Sequence, residues 1–314
     1  MHLVFMGTPA FAVPTLKALL SSHHAVAAVF TQPDKPSGRG ERLSAPPVKQ
    51  LALEQGVSIY QPDKLKAAEW QPVFAELNAD AYVVVAYGKI LPQWLLDLPR
   101  LGAYNVHASL LPKYRGAAPI HWAIANGEAK TGITTMKLDA GMDTGDMLLQ
   151  HEITIEPEDT CASIHDRLAE IGAGLMLKTL EALEKGAANR IPQDPGMATY
   201  APMLKKSDGL LDWNQSAVSL HNRIRAFNPW PGTYTQVQAQ TLRVWRAQPA
   251  EALGDSLLPP GTLLHHSSGA AMVACGTGFL KLEEVQMENR KRTSAVDFLH
   301  GIRLEKTQSI LLGT

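Results

Sequence analysis

Cysteine is nearly missing from this chain of 314 residues: there are two, Cys161 and Cys275, far apart and with no C-x-x-C pair. That excludes a disulfide framework and a cysteine-rich zinc site, and it suits a reducing compartment. Long apolar runs are also absent. The run around Val83–Val85 is only a few residues, far short of a bilayer span. No basic leader precedes the first apolar segment, Leu3-Val4-Phe5-Met6, so a soluble cytoplasmic protein with no membrane partner is expected. Phosphate-cradling signatures are missing too. Gly7-Thr8-Pro9 stands where a dinucleotide fold carries G-x-G-x-x-G, but it has one glycine and places Pro9 in the turn; there is no P-loop. Ser109 lacks the G-x-S-x-G elbow of a serine hydrolase. Asp139, Asp143 and Asp146 miss the calcium-loop spacing, with Gly141 at a ligand position. The neighbours His23-His24 and His265-His266 are expected to point apart, so no metal is expected.

The chain is 45% hydrophobic, enough to bury a good core, and its length suits two domains. The net charge of −1 hides an uneven division. Residues 1–200 hold 17 Lys and Arg against 21 Asp and Glu, a balance of −4; residues 201–314 hold 12 against 9, a balance of +3. The basic side chains of the last third include Lys205-Lys206, Arg223, Arg225, Arg243, Arg246 and Arg290-Lys291-Arg292. Such runs are most often solvated surface, and a phosphate backbone is the second reading.

Short apolar segments alternate with helical patterns through the first two hundred residues. Leu3–Met6, Ala25–Phe30, Tyr82–Ala86 and Gly102–His107 read as strands, Phe11–Leu20 and Pro47–Gln55 as helices. The class is therefore α/β, with a doubly wound, mostly parallel sheet whose ligands bind beyond the carboxyl ends of the strands. Thr160–Lys185 is a long helix with Ile164, Leu168, Ile171 and Leu175 on one face. The Pro- and Gly-rich stretch after it, residues 190–208, reads as a linker between a domain 1–189 and a domain 209–314. In the latter a helix over Ser216–Ala226 precedes strands at Thr233–Val237, Thr241–Arg246, Gly261–His265, Ala270–Ala274 and Phe279–Val285, which suggests a small β-barrel.

Asn105-Val106-His107-Ala108-Ser109-Leu110-Leu111-Pro112 carries the chemistry. In an extended segment Asn105, His107 and Ser109 point the same way, and Pro112 and Gly116 break the strand beyond them. Asp143 follows in a glycine-rich turn. An amide, an imidazole and a carboxylate are what transfer of a small acyl group to an amine needs: one stabilises the oxyanion, the others manage a proton. Taken singly, each residue reads more often as a hydrogen-bonded structural group or a turn cap than as a catalyst; their joint occurrence favours catalysis. The turn-rich stretch Thr31–Arg42, with Lys35, Arg39 and Arg42, is either a mobile surface loop or a functional one.

Together these residues resemble the methionyl-tRNA formyltransferases, of the folate-dependent formyltransferase family. The resemblance runs nearly end to end. It includes Phe5-Met6-Gly7-Thr8-Pro9, Gln32-Pro33-Asp34, Gly38-Arg39-Gly40, Val85-Ala86-Tyr87-Gly88, the Asn105–Pro112 run with Arg115-Gly116-Ala117-Ala118-Pro119-Ile120, Gly141–Met147, Arg225–Gly232 and Ser294–Leu299. It implies a Rossmann-like formyltransferase domain followed by an OB-like C-terminal barrel that binds tRNA. It implies formyl transfer from 10-formyltetrahydrofolate to the methionine amine of initiator methionyl-tRNA, without a metal and by a monomer. Asn105, His107 and Asp143 are then catalytic. Ser109, Leu110, Leu111, Pro112, Tyr87, Gly88, Ile90, Leu91, Ala140 and Gly141 hold folate, and Lys35, Arg39, Arg42, Lys205, Lys206 and Arg223 meet tRNA. Glu41 departs from the basic character the family often has there. The alternative is a formyltransferase acting on a nucleotide-linked amino sugar, which shares the catalytic core but needs neither the basic loop nor the barrel.

Overall fold

The computed structural model describes residues 1–37, 42–250, 258–306 and 308–313, without the side chains of Ser37 and Arg42. The chain divides into two compact units. One comprises Met1–Pro119, Lys130–Thr154 and His165–Ala201; the other comprises Ile120–Ala129, Ile155–Ile164 and Pro202–Thr314.

In chain order the first unit begins with β1 (His2–Gly7), α1 (Val13–Leu20), β2 (Ala25–Phe30), β3 (Lys35–Ser37), β4 (Arg42–Ser44) and α2 (Pro47–Glu54). It continues through β5 (Ile59–Tyr60), α3 (Ala67–Leu77), β6 (Ala81–Val85), α4 (Gln93–Leu96), β7 (Gly102–His107) and β8 (Arg115–Gly116). After α5 (Pro119–Ala125), which from Ile120 belongs to the second unit, come β9 (Lys130–Lys137), β10 (Met147–Thr154), α6 (Cys161–Glu184), of the first unit from His165 on, and β11 (Tyr200–Ala201). The main sheet has the order β10-β9-β7-β6-β1-β2-β5. Its five strands from β5 to β7 run parallel, and β9 and β10 are antiparallel additions at one edge.

The parallel strands form because each is a short apolar run with both faces covered, as crossover helices require. On one face Val4, Met6, Ala28, Phe30, Tyr82, Val84 and Ala103 pack with Phe74 of α3. Phe30 stacks there on Phe74, with ring centroids 4.3 Å apart. On the other face α6 comes close at Gly172, where a Cβ would stand 2.8 Å from Val106 Cγ1. Parallel pairing also aligns the strand ends: Gly7 lies beside Val85, and Val84 beside Asn105. The residues that follow β1, β6 and β7 therefore emerge along one edge.

Residues 190–208, expected as a linker, are ordered onto the first unit as far as Ala201. Ile191 exchanges backbone bonds of 2.8 and 2.9 Å with Met147, and β11 pairs with β8. Composition reads this stretch as a spacer because it lacks periodicity, yet its backbone groups find partners one at a time.

In the second unit α7 (Ala217–Ala226) precedes β12 (Thr233–Val237), β13 (Gln240–Ala250), β14 (Thr262–His265), β15 (Ala271–Ala274), β16 (Phe279–Met287), β17 (Thr293–Ser294), α8 (Ala295–Gly301) and β18 (Ser309–Leu311). The antiparallel order is β12-β13-β16-β15-β14-β18, with β17 on β16. The sheet curls far enough for Gly313 N to donate to Gln236 O at 2.8 Å, beside β12. Leu220 and Ile224 of α7 and Phe298 and Leu299 of α8 pack into the core with Leu242, Val244, Leu263, Val273 and Leu280. A half-barrel of this kind agrees with the expected small barrel.

Gly7 is a tight point at the end of β1. A Cβ there would lie 2.7 Å from the Phe5 ring, 2.8 Å from Ala12 Cβ and 3.0 Å from Val85 O. Gly7→Ala is expected to cost about 1–3 kcal/mol by overpacking. That is a fall in melting temperature of several degrees at about 2–4 °C per kcal/mol. An unchanged thermal transition would contradict this packing.

Candidate active site

Alternation along β7 places Asn105 and His107 on one face and turns Val106 to the other. The His107 ring is buried, with 5% of the residue exposed. Its Nε2 donates to the carbonyl oxygen of Tyr114 at 2.9 Å. A carbonyl only accepts, so Nε2 carries a proton in this arrangement and Nδ1 is the nitrogen left to exchange one. Nδ1 lies 3.6 Å from Asp143 Oδ2. Asn105 is half-buried, and its side-chain amide makes no hydrogen bond among the described residues.

The Tyr114 carbonyl is held from several sides. Tyr114 has φ +60°, a left-handed conformation that a bulky residue adopts only under constraint. Its N–H donates to Thr199 Oγ1 at 2.9 Å, and Arg115 N donates to Thr199 O at 2.8 Å. The turn before it is closed by Ser109 Oγ donating to Lys113 O at 2.6 Å. Thr134 Oγ1 donates to Ser109 O at 2.7 Å and accepts from Leu111 N at 3.1 Å. Gln150 Nε2 donates to Leu111 O at 2.8 Å. Ser109, expected among the folate-binding residues, has no exposed surface. Its hydroxyl shapes this turn, and Leu111 is buried beside it; Leu110 and Pro112 are the partly open members.

Asp143 reaches His107 by a detour. Because β9 is antiparallel, its last residue Lys137 lies opposite Tyr104, three residues short of His107. The connection to β10 must fold back, and Asp143 does so with φ +55°. Its Oδ2 also accepts from Gly116 N at 2.8 Å. Gly145 closes the same return; a Cβ there would stand 1.9 Å from Lys137 O. Gln193 ties the loop down, its Nε2 donating to Asp143 O at 2.9 Å and to Gly145 O at 2.8 Å. Its Oε1 accepts from Arg115 Nε and Nη2 at 3.0 and 2.8 Å. Sequence reasoning missed Gln193, Thr134 and Thr199, because none belongs to a motif; only long-range pairing shows their use.

The loop after β6 is fixed by the Gly7-Thr8-Pro9 and Gln32-Pro33-Asp34 segments. Thr8 Oγ1 and Gln32 Nε2 donate to Tyr87 O at 3.0 and 3.1 Å, and Gln32 Nε2 also reaches Gly88 O at 3.2 Å. Gly88 has φ +77°, and a Cβ would meet Gln32 Nε2 at 2.3 Å. The Tyr87 ring is buried with no partner for its hydroxyl among the described residues, and burial pushes the phenol up to about 12. Only its backbone faces the loop. Ile90 is 91% exposed and Met142 61%. Leu91 is buried, and Ala140 and Gly141 are exposed in the Asp143 loop.

Of the residues expected to meet tRNA, Lys205 and Lys206 are exposed. Lys35 is exposed and donates to Gln32 Oε1 at 2.8 Å. Arg39 and the Arg42 side chain lie outside the described residues. Arg223, also expected there, is half-buried and bonded within the second unit. Its Nε and Nη2 donate to Asp208 O at 3.1 and 2.7 Å, and its guanidinium lies over the Phe227 ring. Burial lowers its pKa.

The adjacent histidines also depart from expectation. His23 and His24 do not diverge; their ring centroids are 4.0 Å apart. His23 Nε2 lies 3.0 Å from Glu184 Oε2, and the Met1 amine 3.5 Å from Glu184 Oε1. Among the described residues this is the one trio with metal-ligand atoms within 4.8 Å of one another. The Met1 amine and His23 thus both approach the one Glu184 carboxylate.

Residues 1–180 match the family described as formyl transferase, and residues 203–303 match its C-terminal domain. The methionyl-tRNA formyltransferase of Geobacter metallireducens is 50% identical over 305 residues, 97% of each chain. That of Acidobacterium capsulatum is 51% identical over 303 residues, 96% of each. Among solved structures, an N-formyltransferase from Helicobacter canadensis superposes with a TM-score of 0.67 at 18% identity, covering 91% of this chain and 99% of that one. The sugar 3N-formyltransferase WlaRD gives 0.66 at 17%, covering 93% and 99%. The chain belongs to the formyl transferase family.

A thiol nucleophile has no place in this arrangement. Burial pushes both Cys161 and Cys275 up to about 12, so each is a neutral thiol across the physiological range. The native protein is expected to release almost no colour from an aromatic disulfide reagent at pH 8 within minutes, and two equivalents once unfolded. Rapid labelling of the native protein would contradict the burial.

Proposed function

We propose that the chain transfers the formyl group of 10-formyltetrahydrofolate to the α-amino group of methionine on initiator tRNA, giving N-formylmethionyl-tRNA for translation initiation. The observation that carries this reading is the meeting of an unpaired Asn105 amide, the His107 ring and the Asp143 carboxylate around the end of β7. The relatives that are half identical over nearly the whole of both chains are methionyl-tRNA formyltransferases. The sugar formyltransferases share the fold at less than a fifth identity, and nothing in the site favours a sugar.

The chemistry follows from the charges that must move. An α-ammonium titrates near ~8, so one proton must leave before the nitrogen attacks. His107 Nδ1 takes it, because Nε2 is committed to the Tyr114 carbonyl. Asp143, 3.6 Å away, balances the imidazolium that forms. Attack of the amine on the formyl carbon makes a C–N bond and turns the carbonyl oxygen anionic. The Asn105 amide donates to that oxygen without any change of its own charge. Collapse then breaks the bond from the formyl carbon to the donor nitrogen, which accepts the proton from His107, while the attacking nitrogen loses its second proton to solvent and leaves a neutral formamide.

The residues present suit a folate. Ile90 and Met142 are exposed apolar side chains on otherwise polar loops, fitting a flat heterocycle with an apolar face and a hydrogen-bonding edge. The backbone of Tyr87, Gly88 and Leu91, the turn of Ser109, Leu110, Leu111 and Pro112, and Ala140 and Gly141 would hold it. Lys35, Arg39, Arg42, Lys205 and Lys206 are the cations for the tRNA phosphates; Arg223 supports them from within. The protein acts as a monomer in the cytoplasm, where charged tRNA is made.

The test is formyl transfer to methionylated initiator tRNA beside a nucleotide-linked amino sugar. Transfer to the tRNA alone is expected; transfer to the sugar alone would overturn the reading. Asn105→Ala and His107→Ala are each expected to lower the single-turnover rate about a hundredfold, the cost of losing one transition-state donor, while tRNA binding changes little. Rates within a few-fold of wild type would contradict the assignment.

A further inference from the structure

We infer that Gln193 is a positioning residue for the reaction, acting through Asp143; this rests on the proposed formyl transfer. One carboxamide joins three segments that are distant in sequence. Its Nε2 supplies donors to Asp143 O and Gly145 O at 2.9 and 2.8 Å, using both its hydrogens. Its Oε1 receives Arg115 Nε and Nη2 at 3.0 and 2.8 Å, using both its lone pairs. The amide is therefore saturated, and its orientation is fixed by chemistry: a flip would set N–H against N–H and oxygen against oxygen.

The placement matters because of what each partner does. Arg115 is buried, with 5% exposed, and begins the strand that follows Tyr114, whose carbonyl fixes the His107 tautomer. Asp143 sits in a left-handed conformation in a loop that folds back from the wrong end of β9. Within the loop Asp139 Oδ1 accepts from Gly141 N and Thr144 Oγ1 at 3.0 and 2.7 Å, which closes the tip but does not tie it to the segments that hold His107. Gly145 permits it sterically, and Gln193 supplies the bonds that hold the backbone on both sides of Thr144. One side chain thus sets the spacing between the imidazole and the carboxylate from both sides. The alternative, a purely architectural role for Gln193, would show in stability and not in turnover.

Two substitutions separate the halves of the amide. Gln193→Glu keeps the acceptor for Arg115, now charge-assisted, and removes both donors to the loop. Gln193→Met keeps the volume and removes both halves. With tRNA formylation as the assay, Gln193→Glu is expected to lower kcat at least tenfold, with the KM for tRNA within about twofold and a melting temperature near that of wild type. Gln193→Met is expected to lose at least as much. In an Asp143→Asn background Gln193→Glu should cost less than threefold more, because residues acting through one another are not additive.

A wild-type protein that does not formylate methionyl-tRNA would remove the functional reading itself. Wild-type turnover with Gln193→Glu within twofold of it overturns this inference alone. Loss in Gln193→Met only would assign the effect to Arg115 and overturn it too, as would full additivity with Asp143→Asn. If Gln193→Glu proves unstable, the additivity measured with Gln193→Met decides in the same way.

Discussion

The hydrogen bond from His107 Nε2 to the Tyr114 carbonyl is the contact on which the rest of the site depends. It occupies one ring nitrogen permanently and so decides which nitrogen can meet a substrate. The bond spans only seven residues, yet it needs a main chain that reverses sharply after β7 and presents a carbonyl back to the ring. Ser109, Thr134, Gln150 and Thr199 all act on that reversal, each with a side chain bonded to backbone. Their hydrogen bonds contribute about 1 kcal/mol apiece; together they make one conformation of the 109–116 segment far better than its competitors.

Around this contact the site combines one satisfied group with one left open. His107 has partners on both sides, an acceptor carbonyl and a carboxylate. Asn105, two residues earlier on the same face, has none among the described residues. A half-buried amide with no protein partner beside a paired imidazole has its donors free to meet a substrate oxygen. The parallel sheet provides the rigid base for both residues, and the antiparallel pair β9–β10 provides the third. The fold therefore builds its carboxylate on a different principle from the other two: by a returning loop, held by Gly145 and Gln193.

Much of this was legible in the sequence, and what was not has physical causes. β1, β2 and β6 read as apolar runs and are buried over much of their length, and β7 reads as the same pattern up to Asn105. The Asn105-x-His107 spacing alone fixes a shared face. By contrast β10, the edge strand, carries Gln150, His151 and Glu152, and the buried β9 carries Thr131, Thr134 and Thr135, so neither shows that pattern. α3 contains Pro72, which interrupts the helical reading. The segment 190–201 has no periodicity because its partners, such as Met147 for Ile191 and β8 for Tyr200–Ala201, lie far off in sequence, which hid Gln193. Arg223 reads as a surface cation, since composition does not reveal that a carbonyl and a phenyl ring have already taken its guanidinium. For the His23-His24 pair, the assumption of regular backbone failed: both lie in the turn between α1 and β2.

The most direct test of the central claim is the ¹⁵N spectrum of the His107 imidazole, assigned by comparison with His107→Gln. The account requires Nε2 to keep its proton across the titration while the Nδ1 resonance moves with pH. A neutral ring carrying its proton on Nδ1, with Nε2 responding to pH, would contradict the role of the Tyr114 carbonyl and the mechanism built on it.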